Sequence, residues 1–256
     1  MTSSVSLETK DLTIRFGGHI AVDSVSCQFR PGELTAIVGP NGAGKTTYFN
    51  LISGQLKASR GQVILNGADV TSFSAPQRAR LGLGRAFQLT NLFPGLSVME
   101  NVRLAVQAEA GVEYDMIRPW RRRRDLIDRA ETILEEVALT ARRNGAAAAL
   151  SHGDQRKLEV ALMIALKPIV FMFDEPTAGM SVDEAPVVLD LIARLKRDET
   201  KTILLVEHKM DVVRSLADRI IVLHNGRLMA DGEPSAVIAS PIVQEAYLGV
   251  AQARAS

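Results

Sequence analysis

The sequence predicts an α/β fold: a core with a mostly parallel sheet, an antiparallel β subdomain at the N-terminal end, and an inserted helical subdomain. Three observations carry that reading. A glycine-rich turn, Gly39 to Thr46, lies between a short apolar strand and a helix-forming stretch. Two short apolar runs, Ile169–Phe173 and Thr202–Val206, are continuous rather than alternating, as strands buried on both faces of a parallel sheet are. Between the turn and these runs the apolar pattern switches to the helical period of about 3.6 residues.

From Val5 to Arg30 the chain reads as short β segments: Leu12, Ile14 and Phe16 alternate with polar residues, Gly17-Gly18 marks a turn, and Val22 to Phe29 follow. Leu34–Val38 is the apolar strand before the glycine-rich turn. The helix after it should turn Phe49 and Ile52 inward and stop near Gly54. Val63–Leu65 and Ala68–Val70 flank Asn66-Gly67, which supplies the positive φ angles of a tight hairpin. In the insertion, Leu126, Ile127, Ala130, Ile133, Leu134 and Val137 share one helical face, and Asp125 stands four residues before Arg129 on the outer side. A further strand, Ile220–Leu223, precedes Asn225-Gly226, and short helices follow Pro234 and Pro241. The whole chain reads as a single domain, with residues 1–88 and 168–256 forming the core and its β subdomain and residues 89–167 the helical insertion.

At 256 residues the chain is long enough for a sizeable buried core. With 30 basic and 29 acidic side chains the formal charge is +1, which gives no general attraction to nucleic acid or anionic lipid. The single cysteine, Cys27, cannot close an internal bridge, which suits a reducing compartment and excludes a disulfide framework. Met1 to Lys10 lacks the basic-then-apolar pattern of a secretion signal and reads as a cytosolic start. The apolar stretches Val160–Leu166 and Ile169–Phe173, parted by Lys167-Pro168, fall short of the roughly 20 residues that cross a bilayer.

Gly39-Pro40-Asn41-Gly42-Ala43-Gly44-Lys45-Thr46 matches the pattern G-x-x-x-x-G-K-T in the strand-to-helix context it requires. Successive backbone N–H groups can wrap phosphate oxygens, the helix N-terminus adds partial positive charge, Lys45 reaches the β- and γ-phosphates, and Thr46 is placed to hold Mg²⁺. A turn that merely joined strand to helix would need neither Lys45 nor Thr46. Asp174-Glu175 sits at the carboxyl end of a buried strand, where open α/β sheets bind ligands. Read alone, the pair could cap the next helix; beside a complete phosphate loop, Asp174 suits the Mg²⁺ shell and Glu175 a water for in-line attack.

Glu207-His208 follows the strand Thr202–Val206. A lone histidine there is ordinarily a surface or core residue, but the edge it shares with Lys45 and Glu175 lets it hydrogen-bond a γ-phosphate and its attacking water. Ser151 and Asp154 fit a capping box that opens a helix with a buried stripe of Leu158, Ala161, Leu162, Ala165 and Leu166. Alone this is a helix start, although a serine hydroxyl and the Gly153 amide at an exposed N-terminus also make an anion site.

Taken in order, Gly39–Thr46, Gln88, Leu150–Asp154, Phe171–Glu175 and His208 resemble the nucleotide-binding subunit of ATP-binding cassette (ABC) transporters, and the likeness covers nearly the whole chain. The resemblance implies a P-loop NTPase core of the ABC ATPase type that binds ATP and Mg²⁺. It implies that Phe16 stacks on adenine, that Gly39–Thr46 with Thr47 is the Walker A loop, and that Gln88 contacts Mg²⁺ and the membrane partner. It also makes Leu150–Asp154, with Ser151, Gly153 and Asp154, the signature segment, Asp174 the Walker B aspartate, Glu175 the catalytic base and His208 the switch histidine. Two departures stand out. The signature, ordinarily Leu-Ser-Gly-Gly-Gln, has His152 and Asp154 at its third and fifth positions, and Ser181 replaces the aspartate of the D-loop.

Phe16–Val22, Arg85–Gln88, Asn91–Pro94 with Ser97–Val102, Ala178–Met180 and the tail Gln244–Gly249 are similar to ATPases of hydrophobic and branched-chain amino-acid importers. Relatives of urea, amide or aromatic-acid uptake and of lipopolysaccharide export are also near. The resemblance implies a homodimer, or a heterodimer with a sister ATPase, that sandwiches ATP between the P-loop of one subunit and the signature of the other. It further implies transmembrane permease subunits, a periplasmic solute-binding protein acting indirectly, no nucleic acid, and a peripheral place on the cytoplasmic face of the inner membrane. A soluble cassette ATPase of translation or repair would carry two cassettes or a coiled coil, which this chain lacks; a non-hydrolytic switch would not need Glu175 and His208. The basic run Arg118 to Arg124 reads as the solvated face of a helix start or as a contact for lipid headgroups or an acidic loop.

Overall fold

A computed structural model of the chain describes residues 5–86, 92–111 and 123–246. In chain order the elements are β1 (Leu7–Phe16), β2 (His19–Phe29), β3 (Leu34–Val38), α1 (Lys45–Ser53), β4 (Arg60–Leu65), β5 (Ala68–Asp69), α2 (Ala75–Arg80) and β6 (Leu83–Ala86). Then come α3 (Val98–Glu109), α4 (Arg124–Glu136), α5 (His152–Leu166), β7 (Val170–Asp174), α6 (Ala185–Lys196), β8 (Thr202–Val206), α7 (Met210–Leu216), β9 (Arg219–His224), β10 (Arg227–Gly232) and α8 (Pro234–Ala239). The chain forms two compact units: one of residues up to Arg85 with Ile169–Glu175 and Leu195 onward, the other of Ala86–Pro168 with Pro176–Arg194.

The first unit holds both sheets. A four-stranded antiparallel sheet has the order β2-β1-β4-β5, and a six-stranded sheet has the order β10-β9-β3-β8-β7-β6. In the second sheet β3 pairs parallel with both β8 and β9, β7 pairs parallel with β8, and β10 runs antiparallel to β9. Every residue of β3, β7 and β8 is buried, as their unbroken apolar text requires. The hairpin at Asn66-Gly67 forms as expected, with φ of 48° and 80° at the turn and Leu65 opposite Ala68.

Helix α1 turns Phe49 and Ile52 into the core and ends at Gly54, as its text predicts. Burying two such side chains contributes about 1.5–3 kcal/mol each. Its last turn is held by Arg78, a buried side chain that donates to the carbonyls of Leu51, Ile52, Phe73 and Thr71 at 2.6–3.1 Å. Burial pushes that guanidinium down to about 10. Tyr48, on the same helix, is fully buried, and its hydroxyl shares a 2.7 Å hydrogen bond with Thr9.

The second unit is helical. Val98, Val102 and Val106 of α3, Leu126, Ala130, Ile133 and Leu134 of α4, and Leu158, Ala161 and Ala165 of α5 form its interior. Residues 176–194 also belong to this unit, whereas the sequence reading draws the insertion at 89–167. They are held there by contacts described below between the start of α5 and the segment 178–184.

Two details of the helical text come out differently. Asp125 does not pair with Arg129 four residues on: Asp125 takes a two-pronged bond from Arg123, while Arg129 reaches Glu109 at 2.5 Å and the Ala165 carbonyl at 2.9 Å. The tertiary acceptors outcompete a surface pair worth only a few tenths of a kcal/mol, about 0.3–0.5. Leu166 is 45% exposed, and with Leu162 it lines a surface groove of about 460 Å³ together with Phe93, Leu104, Ala105 and Ala108 rather than joining the interior.

Cys27 lies on β2, buried, and pairs with no other cysteine. Burial raises its thiol from 9.0 to about 11. At pH 8 the native protein therefore holds on the order of a hundredfold less thiolate at this position than an unfolded chain, and the side chain is also sterically covered. Labelling with a thiol reagent at pH 8 should be slow in the native protein and complete within minutes in denaturant; fast native labelling would place Cys27 at the surface.

Candidate functional site

The parallel register decides where the site lies. Ile37 pairs with Val206, and Val206 pairs with Asp174, so β3, β8 and β7 end side by side. The chain leaves these ends as the glycine-rich loop, as Glu207-His208 and as Glu175, and all three segments meet at one edge of the sheet. A cavity of about 470 Å³ opens there, lined by Phe16, His19, Ala21, the loop Asn41–Thr47, Glu175 and His208.

Gly44 is the N-cap of α1 with φ of 96°, and a Cβ at this position would lie 2.5 Å from the Ala21 carbonyl oxygen. The loop can therefore turn into the helix here only without a side chain. The turn leaves Lys45 as the first helical residue, 6% exposed, with its Nζ donating to the carbonyls of Gly39 at 2.7 Å and Pro40 at 3.0 Å. Burial lowers the pKa of this ammonium, and the charges of Glu175 and Asp174 oppose that shift. An anion in the cavity would meet the start of α1, whose amides and dipole favour negative charge. Thr46 is exposed and lines the cavity, and Phe16, 50% exposed, presents its ring there.

Asp174 ends β7 and is buried in an ion pair: Arg85 Nη2 donates to its Oδ2 at 2.8 Å, with 7% of each side chain exposed. Burial raises the Asp174 carboxyl, and the Arg85 charge and hydrogen bond pull it back down. The next residue, Glu175, takes φ of 51° in the left-handed region while its N–H donates to the Val206 carbonyl at 2.9 Å. A non-glycine residue held there costs of order 1–3 kcal/mol, a strain typical of functional positions. Its Oε1 lies 2.5 Å from His208 Nε2. His208 is in turn placed by Glu207, whose buried carboxylate accepts from the N–H groups of His208 at 2.7 Å and Lys209 at 3.1 Å. An imidazole and a carboxylate in contact beside a lysine form an arrangement suited to holding and polarising a water.

The remaining expected site residues belong to the second unit. Ser151 caps α5, its Oγ accepting from the Asp154 N–H at 3.1 Å. The reciprocal half of the capping box is missing, because the Asp154 carboxylate takes Lys157 at 2.9 Å instead. His152 brings its Nε2 to 3.2 Å from the Ala178 carbonyl, and Gly153 packs so closely on Glu184 that a Cβ there would overlap the carboxylate. Glu184 is held by Ser181, whose hydroxyl donates to it at 3.1 Å. His152 thus joins the start of α5 to Ala178, and Ser181 holds the Glu184 side chain that lies against Gly153. Gln88 lies outside the described residues, as do Arg118–Arg122 of the basic run and the end of the tail 244–249.

Sequence reasoning gave no role to His19, which lines the cavity, and named Arg85 only as part of a family stretch. The signal for Arg85 is an arginine written into β6 between the buried residues Leu83 and Ala86, where an unpaired cation would be costly.

The profile of the ABC transporter family matches residues 22–178. The chain is 38% identical over 250 residues to the high-affinity branched-chain amino acid transport ATP-binding protein LivG of Escherichia coli K12, covering 96% of this chain and 98% of that one. It is 37% identical, with the same coverage, to the branched-chain amino acid transport ATP-binding protein BraF of Pseudomonas aeruginosa. Among solved structures, the ADP conformation of MJ1267, an ATP-binding cassette of an ABC transporter, superposes with a TM-score of 0.81 at 29% identity, covering 96% of this chain and 99% of that one.

Gly44→Ala should lower stability by at least about 1–2 kcal/mol, from the left-handed backbone alone, and should also displace the loop from the Ala21 carbonyl. Urea denaturation measures the first effect and nucleotide titration the second; a variant as stable as the parent would show that the turn does not need glycine.

Proposed function

The chain belongs to the ABC transporter family and is an ATPase of that family, and from that premise we propose that it powers the uptake of branched-chain or other hydrophobic amino acids. The observation that carries the mechanism is the convergence of the phosphate loop, Lys45, Glu175 and His208 on one cavity. The choice of solute follows the end-to-end likeness to LivG and BraF.

In this reading Phe16 stacks on the base, the amides of Gly39–Thr46 with Thr47 hold the phosphates, and Lys45 turns its Nζ from the loop carbonyls to the β- and γ-phosphates. The residues present fit a magnesium ion: the Thr46 hydroxyl lines the cavity, and Asp174 Oδ1 takes no hydrogen bond among the described residues, leaving two hard oxygen donors. When bound, the ion would neutralise charge on the phosphate oxygens. Gln88 would add a further oxygen. Glu175 orients a water in line with the γ-phosphorus and holds its proton as the new P–O bond forms and the bond to the bridging oxygen breaks. His208, in contact with Glu175, hydrogen-bonds the γ-phosphate and keeps the carboxylate in place.

Two chains would sandwich ATP, with Ser151, Gly153 and Asp154 of one facing the phosphates bound by the other, so that hydrolysis loosens the pair. The second chain is either an identical copy or a sister ATPase. Among the described residues no helix is long and apolar enough to cross a membrane. Transmembrane permease subunits would supply the pathway, fed by a periplasmic binding protein, with this chain peripheral on the cytoplasmic face of the inner membrane. The core and β subdomain at 1–88 and 168–256 then carry the chemistry, and the helical insertion at 89–167 meets the membrane partner.

Glu175→Gln should bind ATP within about threefold of the parent yet turn it over about 10²–10³-fold more slowly, the loss expected for a general base. Phosphate release and equilibrium binding check this, and undiminished turnover would remove Glu175 from the role. Lys45→Ala should instead lose affinity by about tenfold or more, from the loss of a charge-assisted contact. Co-purification with permease proteins and amino-acid uptake in a strain lacking the gene test the transport assignment.

A further inference from the structure

Arg85 is the penultimate residue of β6, the strand beside β7, and its guanidinium is clamped on two sides. Nη2 donates to Asp174 Oδ2 at 2.8 Å. Nη1 shares its two N–H bonds among three acceptors at and just beyond the far end of α1: Asn50 Oδ1 at 2.6 Å, Ser53 Oγ at 2.8 Å and Gln55 Oε1 at 3.1 Å. The cation also lies 5.4 Å from the centre of the Phe49 ring, again on α1. One rigid planar fork thus joins the carboxylate at the end of β7 to the helix whose first turn carries Lys45 and Thr46.

A plain charge pair would be satisfied by Arg85 and Asp174 alone. The additional bonds to Asn50, Ser53 and Gln55 fix the guanidinium plane, and a fixed plane with one nitrogen on Oδ2 sets the rotation of the Asp174 carboxylate. Oδ1 is then the oxygen without a hydrogen bond among the described residues.

We propose that Arg85 is a positioning residue for the divalent cation of this site: it holds Asp174 by Oδ2 so that Oδ1 is offered to the metal, and it ties that carboxylate to the helix bearing the second donor, Thr46. The inference rests on the reading of Asp174 and Thr46 as metal ligands. Arg85 touches neither metal nor nucleotide and acts through Asp174 and α1.

Two variants of the full chain test it. Arg85→Met removes the charge and all four hydrogen bonds but keeps an unbranched apolar stem against Phe49; Arg85→Lys keeps the charge but cannot bond Asp174 and the α1 acceptors with one fixed fork. ATP affinity is measured by calorimetry in EDTA and in magnesium, and Mn²⁺ affinity by paramagnetic resonance in the presence of ATP. In Arg85→Met, Mn²⁺ affinity should fall by about tenfold or more, as for loss of a group that orients a metal ligand, while ATP affinity in EDTA stays within about twofold. Arg85→Lys should lie between Met and the parent. Parental Mn²⁺ affinity in both variants would overturn the proposal, as would an equal loss of ATP affinity in EDTA and in magnesium, which is what displacement of α1 would give. A parent protein whose ATP affinity ignores magnesium would overturn the metal reading of Asp174 and Thr46, and this inference with it.

Discussion

Everything at the site depends on three parallel strands ending level. Parallel pairing of β3, β8 and β7 fixes which residues stand last, and burial on both faces leaves the chain no freedom to slip, since a shift of one residue would exchange the faces of every side chain. Lys45, Glu175 and His208 come from distant parts of the sequence, yet each is only a short step beyond one of those ends. The helices supply the dipole, the lysine and the outer packing.

A consequence of that alignment is a crowd of charges at the edge of an apolar layer. Lys45 and Arg85 stand near Asp174 and Glu175, and for Lys45, Arg85 and Asp174 burial penalises the charge more than the opposite charges nearby restore it. Lys45 meanwhile occupies itself with the carbonyls of its own loop, so its ammonium is satisfied before any ligand arrives. The balance is close to neutral within this quartet. A triphosphate entering it would bring more negative charge than one lysine and a helix terminus can offset, which is the physical ground for the magnesium ion proposed at this site.

The core was legible because its signals are local. A glycine-rich turn between strand and helix, continuous apolar strands and an Asn-Gly hairpin each declare themselves within a few residues, and the antiparallel and parallel layers follow from them. Side-chain partners were not legible where tertiary acceptors competed with near neighbours. Arg129 abandons Asp125 for Glu109 and a carbonyl, and Leu166 leaves the stripe its spacing assigns; at Asp154 the competitor is local, Lys157 one turn on taking the carboxylate from the capping box. Arg85 shows the same limit at the site itself: its text says only that a cation lies in a strand, and its meaning comes from four acceptors spread over β7, α1 and the residues just after it.

The backbone at Glu175 also constrains how this chain could drift. The left-handed conformation there admits Asn, Asp and Gly at little cost and resists β-branched residues. A descendant losing this side chain would therefore reach asparagine or glycine far more readily than valine or threonine, keeping the strand end intact. The backbone thus filters which replacements the strand end can accept before any question of chemistry arises.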